Sequence, residues 1–225
     1  MMNQAVKTQT TESFDAIKEA HNLSGDSGKI GEYYDKWSGA YDRDVSNEAY
    51  AGPEYIVNYF ASLKSDKGTV DSGDRDLEIL DAGCGTGLVG IFLKQKGYRN
   101  VDGFDLSDKM VEKAQATDAY RTLNGGIDMT QKNEVYKDNQ YDAILCCGVF
   151  TLGHVPPDSL SELIRIAKPG GLIVVSTRKS YYDSTDFQAV CDRFVAEGKV
   201  KRVSNQMDGP YIAEEGAHYW AFAVC

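Results

Sequence analysis

Apolar residues recur along this chain in two rhythms. Tyr141 to Phe150 is a near-continuous apolar run after a polar one, as expected of a central parallel strand buried on both faces. Shorter runs at Leu77–Asp81, Asn100–Asp105 and Leu172–Thr177 read as further strands, the last of β-branched character. Between them the period is helical. Tyr55, Ile56, Tyr59, Phe60 and Leu63 mark one face of a helix opened by Ala51-Gly52-Pro53, Leu88–Lys96 ends at Gly97, and Ser107 caps a helix running to about Ala119. Ser159–Ala167 stops at the turn Lys168-Pro169-Gly170-Gly171, and Thr185–Glu197 is a further helix. Strands near Lys199–Ser204 and Ala217–Cys225 complete the chain, while Arg121–Asp128 carries a turn, Asn124-Gly125-Gly126, where a third strand is due. A short, irregular edge strand is expected there. The alternation predicts an α/β fold: seven strands, mostly parallel, helices on both faces, and the last strand antiparallel next to the sheet edge.

The region before the sheet is different. Residues 1–28 are polar, with a short helix predicted over Thr11–Ala20 and no role assigned. Residues 29–64 are helical and dense in aromatics, with Tyr34, Trp37 and Tyr41 at helical spacing. Such a stripe is either a core-facing surface or a lid over a ligand. Residues 65–76, rich in Asp, Gly, Ser and Lys, read as a linker, and 77–225 as the sheet region of one compact domain.

Candidate chemistry concentrates where the first strand ends. Asp81-Ala82-Gly83-Cys84-Gly85-Thr86-Gly87 is a strand end, a glycine turn and a helix start, the Rossmann-like arrangement in which backbone approaches a ligand closely. A dinucleotide fingerprint needs G-x-G-x-x-G, but Leu88 stands at its last glycine, and Asp81 would repel a phosphate. An acid there suits a cationic or amine-bearing ligand. Asp105, about 20 residues further on, can accept both ribose hydroxyls of either NAD or S-adenosylmethionine. Leu106 and Met110 offer apolar surface beside the sugar and base, and Cys147-Gly148 falls at the strand end next to the glycine turn. His154, in the loop that follows, is expected to be the only histidine close to this cleft: a general-base candidate or a passive loop group. Arg178, Lys179, Tyr181 and Tyr182 follow a strand on the same rim, there to bind an acidic substrate or to coat the surface.

Composition narrows the partners. A net charge of −10 argues against a broad grip on nucleic acid. Five scattered cysteines without a C-x-x-C pair read as free thiols, with no metal site, in a reducing compartment. No stretch approaches a membrane span and the polar start lacks a signal peptide's apolar core, so a cytoplasmic protein is expected.

Asp81 to Gly87, Asp105, the Cys146–Phe150 strand end and Lys168–Gly171, in that order, resemble class I S-adenosylmethionine-dependent methyltransferases. Tyr34-Asp35-x-Trp37-x-x-x-Tyr41-Asp42-x-Asp44-Val45, the loop Gly148–Pro156 and Asp208-Gly209 are most similar to the methyltransferase-like family named after the Williams–Beuren syndrome region. The resemblance implies S-adenosylmethionine as cofactor and S-adenosylhomocysteine as product. It implies that Asp81, Gly83, Cys84, Gly85 and Gly87 hold the methionine end, Asp105 the ribose, and Asp128 and Met129 the adenine. Tyr34, Trp37, Tyr41, Phe150 and His154 would line the acceptor pocket. A small-molecule acceptor is expected, methylated on oxygen or nitrogen; a protein side chain stays open. The rival readings are a cofactor-binding interaction protein without turnover and an NAD-dependent oxidoreductase.

Overall fold

The computed structural model describes residues 15–64 and 74–225. Helical residues 15–20 (α1) lead through a turn into α2 (Ser27–Trp37), α3 (Tyr41–Asn47) and α4 (Gly52–Lys64). The start of the predicted Thr11–Ala20 helix and residues 65–73 of the linker lie outside the described residues, and Asp74–Asp76 form a short 3₁₀ turn. Then follow β1 (Glu78–Ala82), α5 (Leu88–Lys96), β2 (Asn100–Phe104), α6 (Asp108–Gln115), β3 (Thr122–Asn124) and β4 (Tyr141–Phe150). After α7 (Leu160–Ile166) come β5 (Ala167–Arg178), α8 (Lys179–Ser184), α9 (Phe187–Ala196), β6 (Val200–Gly209) and β7 (Ala217–Val224).

The seven strands form one sheet in the order β3-β2-β1-β4-β5-β7-β6. Every pairing from β3 to β5 is parallel, and β7 runs antiparallel to both β5 and β6. The two faces of the sheet explain the unbroken apolar run of β4. Ile144 and Cys146 join Phe104, Ile173 and Trp220 in a core covered by α7 and α9, while Ala143 and Leu145 face the opposite core, with Ile79, Val101, Val174 and α4. A strand buried on both sides cannot alternate with polar residues. The reversal of order between β1 and β4 leaves a crevice beyond the carboxyl ends of these strands, where ligands of open sheets bind.

Three elements differ from expectation. Lys168–Gly171 does not stand free as a turn but is taken into the start of β5 as an irregularity, with Tyr141 opposite Ala167 and Ala143 opposite Leu172. Gly170 absorbs the extra residues at φ +79°. The unforeseen α8 follows β5 directly. β6 reaches Gly209, beyond the expected Ser204, because an edge strand whose residues are largely exposed is defined by its pairing with β7 and not by apolar content.

Candidate active site

The glycine turn uses each glycine differently. Gly83, at φ +75°, lies so close to the end of β4 that an added Cβ would sit 2.2 Å from Val149 Cγ2. Gly85, at φ +53°, faces open space. Gly87, the left-handed N-cap of α5, packs instead on Ala114 and Tyr120, so it serves the helix contact and does not face the cleft. The bare backbone at Gly83 and Gly85 forms one wall of an open cleft with about 1120 Å³ of empty space, its mouth included.

At the next strand end, Asp105 is fixed by backbone: Gly85 N–H donates to Oδ2 (2.8 Å) and Ser107 N–H to Oδ1 (2.9 Å). Burial raises its carboxyl above the usual range, and these amides oppose that rise. Leu106, Met110, Asp128 and Met129 line the cleft alongside it. Asp128 accepts from the Thr130 amide and hydroxyl at 2.9 and 2.7 Å; burial would raise its carboxyl, but these bonds leave it lowered. Asp81 is fully buried behind the turn and does not line the cleft. Its Oδ2 accepts from the Tyr120 hydroxyl (2.6 Å), while Oδ1 has no partner among the described residues. Burial pushes this carboxyl up to about 7.

The opposite wall is aromatic and tied down. The Ser107 hydroxyl donates to Asp35 (2.6 Å), and the Thr86 hydroxyl donates to Asp42 (2.5 Å), so α2 and α3 are held to the very segments that carry the turn and Asp105. Trp37 Nε1 donates to buried Asp44 (2.9 Å), with its ring 5.7 Å from that of Tyr34 and 4.8 Å from that of Tyr41. The three rings form both a small core and a cleft wall. His154 Nδ1 donates to Leu152 O (2.9 Å), which leaves Nε2 to accept from the Tyr34 hydroxyl (2.8 Å). Burial pushes its pKa down to about 4, so the ring is neutral near pH 7.

Of the residues singled out in the sequence, Gly83, Gly85, Asp105, Leu106, Met110, Asp128, Met129, Cys147, Gly148, Tyr34, Trp37, Tyr41 and His154 come together around one cleft. Cys84 is buried, its thiol pushed well up by burial, and lies outside the lining. Phe150 is corrected: it is not an acceptor-pocket wall. Past the β4 irregularity its ring turns into the α7–α9 core, 5.4 Å from Phe187 and 6.2 Å from Tyr181. Phe150→Leu should therefore lower stability by about 1–2 kcal/mol in denaturant titrations and leave ligand affinity within twofold; a selective loss of affinity would return Phe150 to the pocket.

Several lining residues were not anticipated. His21, Ile17 and Ala20 come from the segment given no role; their only signal was the i, i+3 spacing of Ile17 and Ala20. His154 is thus not the only histidine at the cleft. Tyr50 and Tyr211 come from loops that carry no periodicity, and their hydroxyls cover Gly148, where a Cβ would lie 2.8 and 3.2 Å from them. Arg178, read as a rim residue, is buried at 4% exposure and faces inward.

Comparison with known proteins agrees with this geometry. Residues 79–171 match the model of the methyltransferase domain. Over these residues the chain is similar to methyltransferase domains, and its sheet has the Rossmann-like methyltransferase fold. Human methyltransferase-like protein 27 is 32% identical over 162 residues, 72% of this chain and 62% of that protein. The ubiquinone biosynthesis O-methyltransferase of Rickettsia bellii is 30% identical over 102 residues, 45% of this chain and 42% of its own. The chain thus spans less than two thirds of the length of these relatives. In architecture the chain resembles magnesium protoporphyrin IX methyltransferase from Synechocystis PCC 6803, solved with bound SAH, at TM-score 0.66 and 18% identity, covering 89% of this chain and 100% of that one. At that identity the likeness is one of fold. Among the described residues no helix is long and apolar enough to cross a membrane.

Proposed function

We propose that this protein is an S-adenosylmethionine-dependent methyltransferase acting on oxygen or nitrogen of a small-molecule acceptor, by in-line transfer that relies on proximity. One observation carries the reading: the bare turn, the buried carboxylate of Asp105 and a tethered aromatic wall share a single cleft, with an unpartnered carboxylate oxygen of Asp81 behind the turn. These residues fit a phosphate-free, positively charged adenosyl compound better than a dinucleotide, because buried carboxylates repel a pyrophosphate.

When bound, S-adenosylmethionine supplies a methyl group already activated by its sulfonium. Asp105 is placed to accept from the ribose hydroxyls, Asp128 from the adenine amino group, and Leu106, Met110 and Met129 offer apolar surface to the base. Asp81 favours a cation at the turn. His154 has its Nε2 engaged by Tyr34 and its basicity lowered by burial, so its part is to hold the Tyr34 ring and not to take a proton readily. Holding the nucleophile in line and excluding water then supplies much of the rate. The names of the relatives, which include malonyl-[acyl-carrier protein] O-methyltransferase of Pectobacterium atrosepticum, support acceptors that are small or carrier-bound. All five cysteines are free and four are buried, which supports a cytosolic, reducing setting.

Calorimetric titration of the full chain tests the cofactor. S-adenosylhomocysteine should bind saturably and NAD should give no heat of binding. The reverse result would remove the reading, and binding without turnover across a broad acceptor panel would favour an interaction protein.

A further inference from the structure

Beyond the adenosyl end, the cleft continues beneath α1 between residues that no family motif includes. His21, Tyr50, Arg178 and Tyr211 line it there, from four separate elements. The segment carrying His21 is part of the wall, not a loose tail. The Tyr33 hydroxyl donates to Ala16 O (2.6 Å), and Gly25 N–H donates to Gly153 O (2.9 Å). A Cβ on Gly153 would lie 2.3 Å from the His21 carbonyl oxygen, so the two backbones meet directly.

The charges in this part of the cleft are spent. Among the described residues, three that carry a full charge line the cleft: Asp105 and Asp128 at the adenosyl end, and Arg178 here. The guanidinium of Arg178 donates from Nε to Glu215 (2.5 Å), from Nη2 to Glu214 (3.4 Å) and from Nη1 to His21 Nε2 (2.8 Å). Two carboxylates thus outnumber one cation, and each of the three guanidinium nitrogens already donates to a protein partner, so an anionic ligand would meet a charge that is more than compensated. The same bond settles the histidine. A guanidinium only donates, so Nε2 accepts and the proton resides on Nδ1. Burial, and Arg178 beside it, push the His21 pKa down to about 4, which keeps the ring neutral. No described residue accepts from Nδ1–H. Other polar groups nearby are likewise uncharged: the Thr151 hydroxyl lies 3.3 Å from the same Nε2, and the hydroxyls of Tyr50 and Tyr211 face each other at 3.4 Å.

We propose that the space beneath α1 is the acceptor subsite, that it takes an uncharged, largely apolar molecule bearing one hydroxyl or amine, and that His21 is the specificity-determining residue that hydrogen-bonds this group through Nδ1. This rests on the methyltransferase reading, which makes the space a neighbour of the cofactor. An anion would lose its hydration without gaining a free cation, and a cation would find both glutamates already engaged. A neutral ring with one polar handle loses least and gains the aromatic walls.

The test uses the full chain saturated with S-adenosylhomocysteine and four probes of one ring: p-cresol, toluene, 4-hydroxybenzoate and (4-hydroxybenzyl)trimethylammonium. p-Cresol should bind at least tenfold more tightly than either charged phenol and at least fivefold more tightly than toluene. His21→Phe should retain S-adenosylhomocysteine affinity and bring p-cresol and toluene within twofold, whereas His21→Gln, whose amide can accept from Arg178 and still donate, should preserve the preference. Tighter binding of either charged probe, binding of none, or an unchanged preference in His21→Phe would overturn the assignment while leaving the cofactor reading intact. Failure to bind S-adenosylhomocysteine would remove both. Should His21→Phe not fold, imidazole ¹⁵N spectra of the wild type decide: p-cresol must shift the Nδ1–H of His21 and not that of His218, and the absence of such a shift refutes the proposal.

Discussion

Asp105→Ala should reduce affinity for S-adenosylhomocysteine by about 100-fold, with little change in the melting of the ligand-free protein. Hydrogen bonds from two ribose hydroxyls to a carboxylate are worth about 1.5 kcal/mol or more each, together about 3 kcal/mol, or two orders of magnitude in affinity. The small effect on folding follows from opposed terms. Removal frees the Gly85 and Ser107 amides at 2.8 and 2.9 Å, which destabilises the turn. It also relieves a carboxylate whose burial raises its pKa in spite of those amides, which stabilises the protein. Asp105→Asn should fall between, since one acceptor oxygen survives. Calorimetry with thermal melts measures both quantities, and an affinity within threefold of wild type would show that Asp105 holds its own loop and not a ribose.

The same residue shows what was legible in the sequence and what was not. An acid at the end of a second apolar run, a fixed distance past a glycine turn, is a local pattern, and so are Leu106, Met110 and the apolar run of β4. Local patterns fix the sheet and the adenosyl end of the cleft because strand ends on one edge converge by topology. The far end is assembled from four elements distant in sequence. Nothing near His21 signals that Arg178, 157 residues away, will fix its tautomer, and nothing near Arg178 signals that Glu214 and Glu215 will return to neutralise it. Phe150 illustrates the opposite error. Its position at a strand end looked functional, but the irregularity between Cys146 and Phe150 turns it into the core.

Anchoring also bears on the aromatic stripe. Tyr34, Trp37 and Tyr41 pack as a small core and line the cleft with the same face. What the spacing did not reveal was that Asp35 and Asp42, between those rings, accept from Ser107 and Thr86 and so bind the helices to the sheet. The wall is therefore positioned by the segments that carry the glycine turn and Asp105. A shift in the turn or at the start of α6 is transmitted directly to the rings that line the cleft.

Cofactor affinity should follow a bell-shaped pH profile with its maximum above about pH 7, and Asp81 should set the acid limb. Burial pushes this carboxyl up to about 7, the Tyr120 hydroxyl opposes the shift, and the Asp105 charge adds to it. In the unfolded chain an aspartate titrates near about 4. The folded protein therefore binds a proton between about pH 4 and 7 that the unfolded chain does not, and the ligand-free protein loses stability as pH rises through that window. A cation at the glycine turn favours the ionised form, so the stabilisation conferred by ligand should grow as the free protein weakens. Below the carboxyl's pKa, affinity should fall by up to about tenfold per pH unit, because only the ionised fraction attracts the ammonium from behind the turn. The alkaline limb comes from the ligand, whose α-ammonium loses its proton at alkaline pH, later than a chain N-terminus because its own carboxylate stabilises the charge. Asp81→Asn should abolish the acid limb and lower affinity at pH 7.5 by at least tenfold. Calorimetric titrations of both proteins with S-adenosylhomocysteine from pH 5 to 9 decide the matter: a wild-type profile flat from 5 to 8 would mean that the buried carboxylate, with its unpartnered oxygen, plays no part in holding the cofactor.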